Sequence, residues 1–176
     1  VLLQVYVEAL ELGVLPPMMC EALVISLLKP LKSAVKCESY RPLSLINCDA
    51  KILAKMLANR LCLFLPWMIK LDQSGFLPER ARAHNLRTLI AVVQDIDPHL
   101  YAVAVFLDAT KTFDSLEWSY LYKVLVKFGV SRRFLDWVEL LYSDPMARLQ
   151  INGEVSAPFP LWRGTRQGCS LSPLLF

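Results

Sequence analysis

Long apolar runs are missing from this chain. Pro, Lys, Arg, Glu or Asp interrupts every candidate well short of the roughly 18 to 20 residues a membrane-spanning helix needs, so no membrane partner is expected. A secretion leader is missing too. Val1 to Val7 is apolar but has neither a basic flank nor a small-residue cleavage site. The five cysteines, Cys20, Cys37, Cys48, Cys62 and Cys169, are odd in number and never stand in a CxxC pair, which argues against a disulfide framework and a zinc site. Reduced thiols are expected instead, in an intracellular setting, nucleus or cytoplasm. No internal repeat, low-complexity tract or linker interrupts the chain, and nowhere do two aspartates stand side by side.

What is present is enough for a core. At 176 residues and 20.0 kDa, 55% of them hydrophobic, the chain has the material of one domain or a little more. It starts on Val1 and stops inside the apolar run Leu171-Ser172-Pro173-Leu174-Leu175-Phe176, a pattern from which a longer parent is expected. The net charge of +3 is small but unevenly placed. Lys29, Lys32, Lys36, Arg41, Lys51, Lys55 and Arg60 face only Glu38 and Asp49 in the same stretch, a local excess larger than that of the whole chain. Such a segment suits contact with the phosphates of a nucleic acid or nucleotide, or else forms a solvated, lysine-bearing helix face.

Periodicity and punctuation give a coarse architecture. A helix is predicted over 2–12, ended by Gly13 and Pro16-Pro17, and a strand over 21–28. Asn47 or Asp49 caps a helix in which Ile52, Leu53, Met56, Leu57, Leu61 and Leu65 recur at helical spacing, up to Pro66. A polar connection over 72–78 leads to a helix from about Ala83 to Asp95. Tyr101 to Asp108 is continuously apolar up to its last residue, as in a strand covered on both faces. Helices over about 115–128 and 132–142 follow, separated by Gly129, and then a hairpin whose Asn152-Gly153 turn suits type I′. A last helix starts after Gly168.

Asp108 is the chemical centre of this pattern. A carboxylate at the exit of a buried strand is a rigid support for a hard divalent cation, which the main-chain carbonyl of Ala109 could also ligate. Asp114, by contrast, suits a plain helix-capping role before the helix near Ser115.

Several segments, taken in order, define a family. They are Lys29-Pro30; Tyr40-Arg41-Pro42-Leu43-Ser44-Leu45-Ile46-Asn47; Asp49 to Lys55 with Leu57-Ala58-Asn59-Arg60-Leu61; Asp72-Gln73-Ser74-Gly75-Phe76; Phe106 to Asp114 with Glu117-Trp118; and Gly164-Thr165-Arg166-Gln167-Gly168-Cys169 with Leu171-Ser172-Pro173. Their order and spacing resemble the reverse transcriptases of LINE-type non-LTR retrotransposons over nearly the entire chain, weakening before about residue 20. Departures are Thr112 where the family usually has Ala, Ser170 for Pro, Glu79 for Gly, and His84-Asn85 for Asp-Asn.

The resemblance implies an α+β right-hand polymerase fragment, mostly helical with a small antiparallel palm sheet. It divides as an N-terminal helical lead-in (1–20), fingers (21–100) and partial palm (101–176). Asp108 corresponds to the first catalytic aspartate, and Phe113 to the ring that excludes a ribose 2′-hydroxyl. Gln167 and Gly168 correspond to the turn beside the nascent base pair, Lys29 and Arg41 to fingers positions that close on the triphosphate, and Asp108 with Ala109 to metal ligands. Two Mg²⁺ ions, an RNA template, a DNA primer and deoxynucleoside triphosphates come with that implication. So does an aromatic-Ala-Asp-Asp hairpin after the last helix, which these residues do not contain. The fragment itself is therefore expected to be inactive. The alternatives are a non-catalytic, nucleic-acid-binding or inert relic, and a reverse transcriptase of the group II intron type.

Overall fold

The computed structural model of the chain describes residues 1–77, 80–97, 101–109 and 111–175. Pro78, Glu79, Thr110 and Phe176, which belong to segments discussed above, lie outside the described residues.

The first helix, α1 (Leu2–Leu12), stops at Gly13, whose φ of 73° is the left-handed conformation a helix end favours. A single turn, α2 (Pro17–Cys20), follows with Pro in its first turn, and leads directly into strand β1 (Glu21–Leu28). β1 turns back as β2 (Tyr40–Ile46), with antiparallel register from Ala22 opposite Ile46 to Leu28 opposite Tyr40. Asn47 then caps α3 (Cys48–Cys62), its side-chain oxygen accepting the Asp49 N–H at 2.7 Å. The helix ends before Pro66, which sits instead in the first turn of α4 (Leu65–Met68). Next come α5 (Arg82–Gln94), the turn α6 (Thr112–Ser115), α7 (Trp118–Lys127) and α8 (Arg132–Leu141).

β3 (Met146–Ile151) forms the predicted hairpin with β4 (Glu154–Val155). Asn152 and Gly153 both take positive φ, 52° and 87°, as a type I′ turn requires. A short β5 (Phe159–Pro160) also pairs with β3, and α9 (Ser172–Leu175) closes the described chain.

The sheet runs β2-β1-β3-β4, and it is mixed: β3 lies parallel to β1, Glu21 opposite Met146. The small antiparallel sheet inferred from the resemblance is thus corrected in one respect. Its central pairing is parallel and joins strands from both sides of the boundary expected at residue 100. An ion pair between Arg148 and Glu21, 2.6 Å, crosses this junction, but at 38% exposure of each side chain it adds little stability.

The strand expected over Tyr101 to Asp108 is not formed. Residues 101–109 have no ladder partner among the described residues and are exposed, Leu107 at 92%. A strand exists only where its N–H and C=O groups pair, and the free edge of β2 is closed. Pro42 offers no N–H there, and the outward N–H of Ser44 already donates to the carbonyl of Gln167 at 2.7 Å. Asp108 consequently lies in an exposed segment, not at the end of a buried strand.

The core is helical. Tyr6 and Ala9 of α1, a stripe of α3 (Ala50, Leu53, Ala54, Leu57, Ala58, Leu61), Leu121 and Leu125 of α7, Leu135 and Val138 of α8, and Leu171 and Leu175 form one cluster. Helix α8 shows why: Leu135 and Val138 face inward, while Arg132 pairs outward with Asp136 and Glu139, each at 2.7 Å.

Two tyrosines in this core carry a pH expectation. Burial, helped by the charge of Glu139, raises Tyr122 from 10.0 to about 12, and burial raises Tyr142 further. The unfolded chain therefore loses these phenolic protons first as pH rises. Their contribution to stability is complete below pH 10; that of Tyr122 is lost between pH 10 and about 12, and the loss from Tyr142 continues above that range. Unfolding midpoints should hold steady up to that range and then fall, and Tyr142→Phe should make the fall shallower.

Candidate functional site

The segment Gly164 to Gly168 is the meeting point of the fold. Its first residue is bonded from two sides: the Gly164 N–H donates to the Leu116 carbonyl at 2.7 Å, and the Trp118 indole donates to the Gly164 carbonyl at 2.8 Å. Next, the Thr165 N–H donates to the Phe113 carbonyl at 2.6 Å. Glycine is required at 164, where φ is 88° and a Cβ would sit 2.9 Å from the Phe113 carbonyl oxygen. Further on, the Gln167 carbonyl accepts the Ser44 N–H of β2. Gly168, at φ 115°, lies so close that a Cβ would stand 2.6 Å from the Ser44 carbonyl oxygen.

Three of the segments singled out in the sequence therefore converge here. Phe113 is tied to Thr165, Gln167 and Gly168 rest on β2, and β2 carries Arg41 three residues, about 10 Å, along the strand from Ser44. The Asp72–Phe76 motif joins them, because Phe76 meets the Phe113 ring edge-on with centroids 6.3 Å apart. Lys29 stands at the loop end of the same hairpin, where its N–H donates to Ser39 and its ammonium to the Glu38 carbonyl at 3.0 Å. Arg41 stands opposite Leu27 in the ladder, two residues before Lys29, and Arg41 itself is exposed.

Asp108 is exposed, and the Ala109 carbonyl accepts the Thr112 hydroxyl at 2.6 Å. Among the described residues no group of three or more His, Cys, Asp or Glu is arranged to hold a metal ion. One carboxylate and one partly used carbonyl could supply only part of a site for a pair of divalent ions, whose other oxygen ligands would have to come from water, substrate or further residues.

Arg166 had no role in the sequence pattern beyond its place in a motif. Its guanidinium is buried, and Nη2 donates to the carbonyl of Cys20, 146 residues away. No local signal could have revealed that contact, since it depends on where α2 and β1 lie. A groove of about 480 Å³ lies elsewhere, lined by residues of α1 and by Cys20, Glu21, Asp144 and Met146, and none of the seven candidate residues borders it.

Comparison with known proteins names the class. Residues 29–176 match the family described as reverse transcriptase (RNA-dependent DNA polymerase), and the chain belongs to that family. The Transposon TX1 uncharacterized 149 kDa protein of Xenopus laevis is 32% identical over 176 residues, covering 98% of this chain and 13% of that protein. The retrovirus-related Pol polyprotein from type-2 retrotransposable element R2DM of Drosophila melanogaster is 32% identical over 145 residues, 82% of this chain and 14% of that protein. The RNA-directed DNA polymerase from mobile element jockey, also of Drosophila melanogaster, is 27% identical over 177 residues, 98% of this chain and 19% of that protein. The chain is thus a reverse transcriptase domain of the LINE-type, non-LTR class, and it spans less than a fifth of these relatives. Reverse transcriptases as a family use divalent metal ions, and they act on an RNA template, a DNA primer and nucleotides. No helix among the described residues is long and apolar enough to cross a membrane.

Proposed function

We propose that this chain is the fingers and part of the palm of an RNA-directed DNA polymerase built on the scale of these relatives. Residues 1–20 are a helical lead-in, 21–100 the fingers, and 101–176 part of the palm. RNA is the template, DNA the primer, deoxynucleoside triphosphates the substrates and Mg²⁺ the metal.

The observation that carries this reading is the family match over residues 29–176. The meeting of Phe113, the Gln167-Gly168 turn and β2 supports it physically. In this reading Asp108 and the Ala109 carbonyl are the first oxygen donors to metal. The Phe113 ring excludes a ribose 2′-hydroxyl. Gln167, both donor and acceptor, borders the nascent base pair, and Gly168 lets the backbone approach it. Arg41 grips phosphate as a planar fork, and Lys29 acts as a point charge.

Because the described residues supply too few oxygen donors for two ions, the 176 residues alone are expected to extend no primer. The test is primer extension on an RNA template with Mg²⁺, run on the parent polymerase and on the isolated chain side by side. RNA-templated synthesis by the parent and none by the isolated chain is the expected pair. A folded parent that makes no DNA would overturn the polymerase reading, and synthesis by the 176 residues would overturn the reading of the incomplete site.

A further inference from the structure

Arg166 is the only charged side chain buried among the described residues, with 8% of it exposed. Its Nη2 donates to the Cys20 carbonyl, its Nε has no hydrogen-bond partner, and no carboxylate pairs with it among the described residues. Burial lowers its pKa, while Tyr142, Cys169 and Cys20 nearby act in the opposite direction. Taking a guanidinium out of water without a carboxylate beside it costs stability, and an apolar side chain would fill the same space at lower cost. The benefit must lie in geometry.

That geometry is specific. Cys20 ends α2 and leads directly into β1, which pairs along its length with β2. Immediately after Arg166, the Gln167 carbonyl holds the outward N–H of Ser44 on β2, and Gly168 is pressed against the Ser44 carbonyl. One residue thus grips the root of the β1–β2 hairpin from inside while its two successors grip the outer edge of β2. The carbonyl of Cys20 and the edge of β2 are fixed to each other by the ladder, so the turn is held at two points on one rigid unit.

We propose that Arg166 is a positioning residue: anchored on Cys20, it seats the Gln167-Gly168 turn on β2 and so fixes the wall against which the incoming nucleotide is aligned. The seating follows from the geometry, whereas its consequence for the nucleotide rests on the polymerase reading. Arg166→Met keeps the stem and removes every donor. Arg166→Lys keeps the charge and one anchoring donor.

Two measurements on the parent polymerase separate the two parts. The first is amide hydrogen exchange followed by mass spectrometry on the peptide containing Ser44, whose outward N–H the Gln167 carbonyl alone holds. Arg166→Met should speed exchange there about tenfold while peptides of α8 stay protected, and Arg166→Lys should fall between. The second is steady-state primer extension. The KM for deoxynucleotide should rise about tenfold in Arg166→Met, with kcat within about twofold and partial recovery in Arg166→Lys. A role confined to folding would instead reduce the active fraction, lowering kcat and leaving KM in place. Unchanged exchange at Ser44 in both variants overturns the seating. Faster exchange with unchanged KM overturns the link to the nucleotide. A wild-type parent without polymerase activity overturns the polymerase reading, and the exchange measurement still decides the seating.

Discussion

Gly168→Ala should be among the most damaging single-methyl changes in this chain. The added carbon would stand 2.6 Å from the Ser44 carbonyl oxygen, a separation that forces backbone to move because no flexible side-chain tip can give way. The φ of 115° adds strain of about 1–3 kcal/mol for a residue with a Cβ. Separating the turn from β2 also breaks the Ser44–Gln167 hydrogen bond, about 1 kcal/mol more. Together these predict a loss of about 2–4 kcal/mol, a large part of the roughly 5–15 kcal/mol that holds a domain of this size.

Gly13→Ala is the internal control. Gly13 also has positive φ, 73°, but no atom lies within 4 Å of the position its Cβ would take. It should cost only the left-handed strain, about 1–2 kcal/mol. Urea denaturation of the two variants therefore isolates the contact with Ser44. Equal losses would mean that the turn does not sit on β2.

How much of this could be seen in the sequence varied with the range of the forces involved. Local chemistry was legible. Gly13 ended α1, Asn47 capped α3 and Asn152-Gly153 turned the hairpin, each because one residue's own conformational freedom or side-chain oxygen decides the matter.

Pairing at a distance was not legible. Tyr40-Arg41-Pro42-Leu43-Ser44-Leu45-Ile46 has neither strict alternation nor a continuous apolar run, and it becomes β2 because β1 offers it a ladder. The parallel contact of Glu21 with Met146 has no trace in either segment. Tyr101 to Asp108 failed in the opposite direction. Its apolar run has strand propensity, but propensity without a partner edge leaves it unpaired and exposed. The candidate site divides in the same way. The residue types were visible as motifs, whereas the stitching of Gly164 to Gly168 onto Phe113, Trp118, Ser44 and Cys20 is entirely non-local.

That exposed position makes Asp108 the sharpest test of chemistry as distinct from fold. Its carboxylate is exposed and is not part of any ion pair among the described residues, so Asp108→Asn should leave stability within about 0.5 kcal/mol of wild type. In the parent polymerase the same change should be close to lethal for catalysis. A divalent ion stabilises transition-state charge by several kcal/mol, and each 1.36 kcal/mol is a factor of ten in rate, so removing a ligand charge is expected to lower kcat by about 10³-fold or more. Primer-extension rates and thermal midpoints taken on the same preparations give both quantities. An unchanged midpoint with a collapse in rate assigns Asp108 to the reaction. A rate within about tenfold of wild type would remove it from the metal site, and a matching loss of stability would return it to the structural role that any aspartate before a helix can fill.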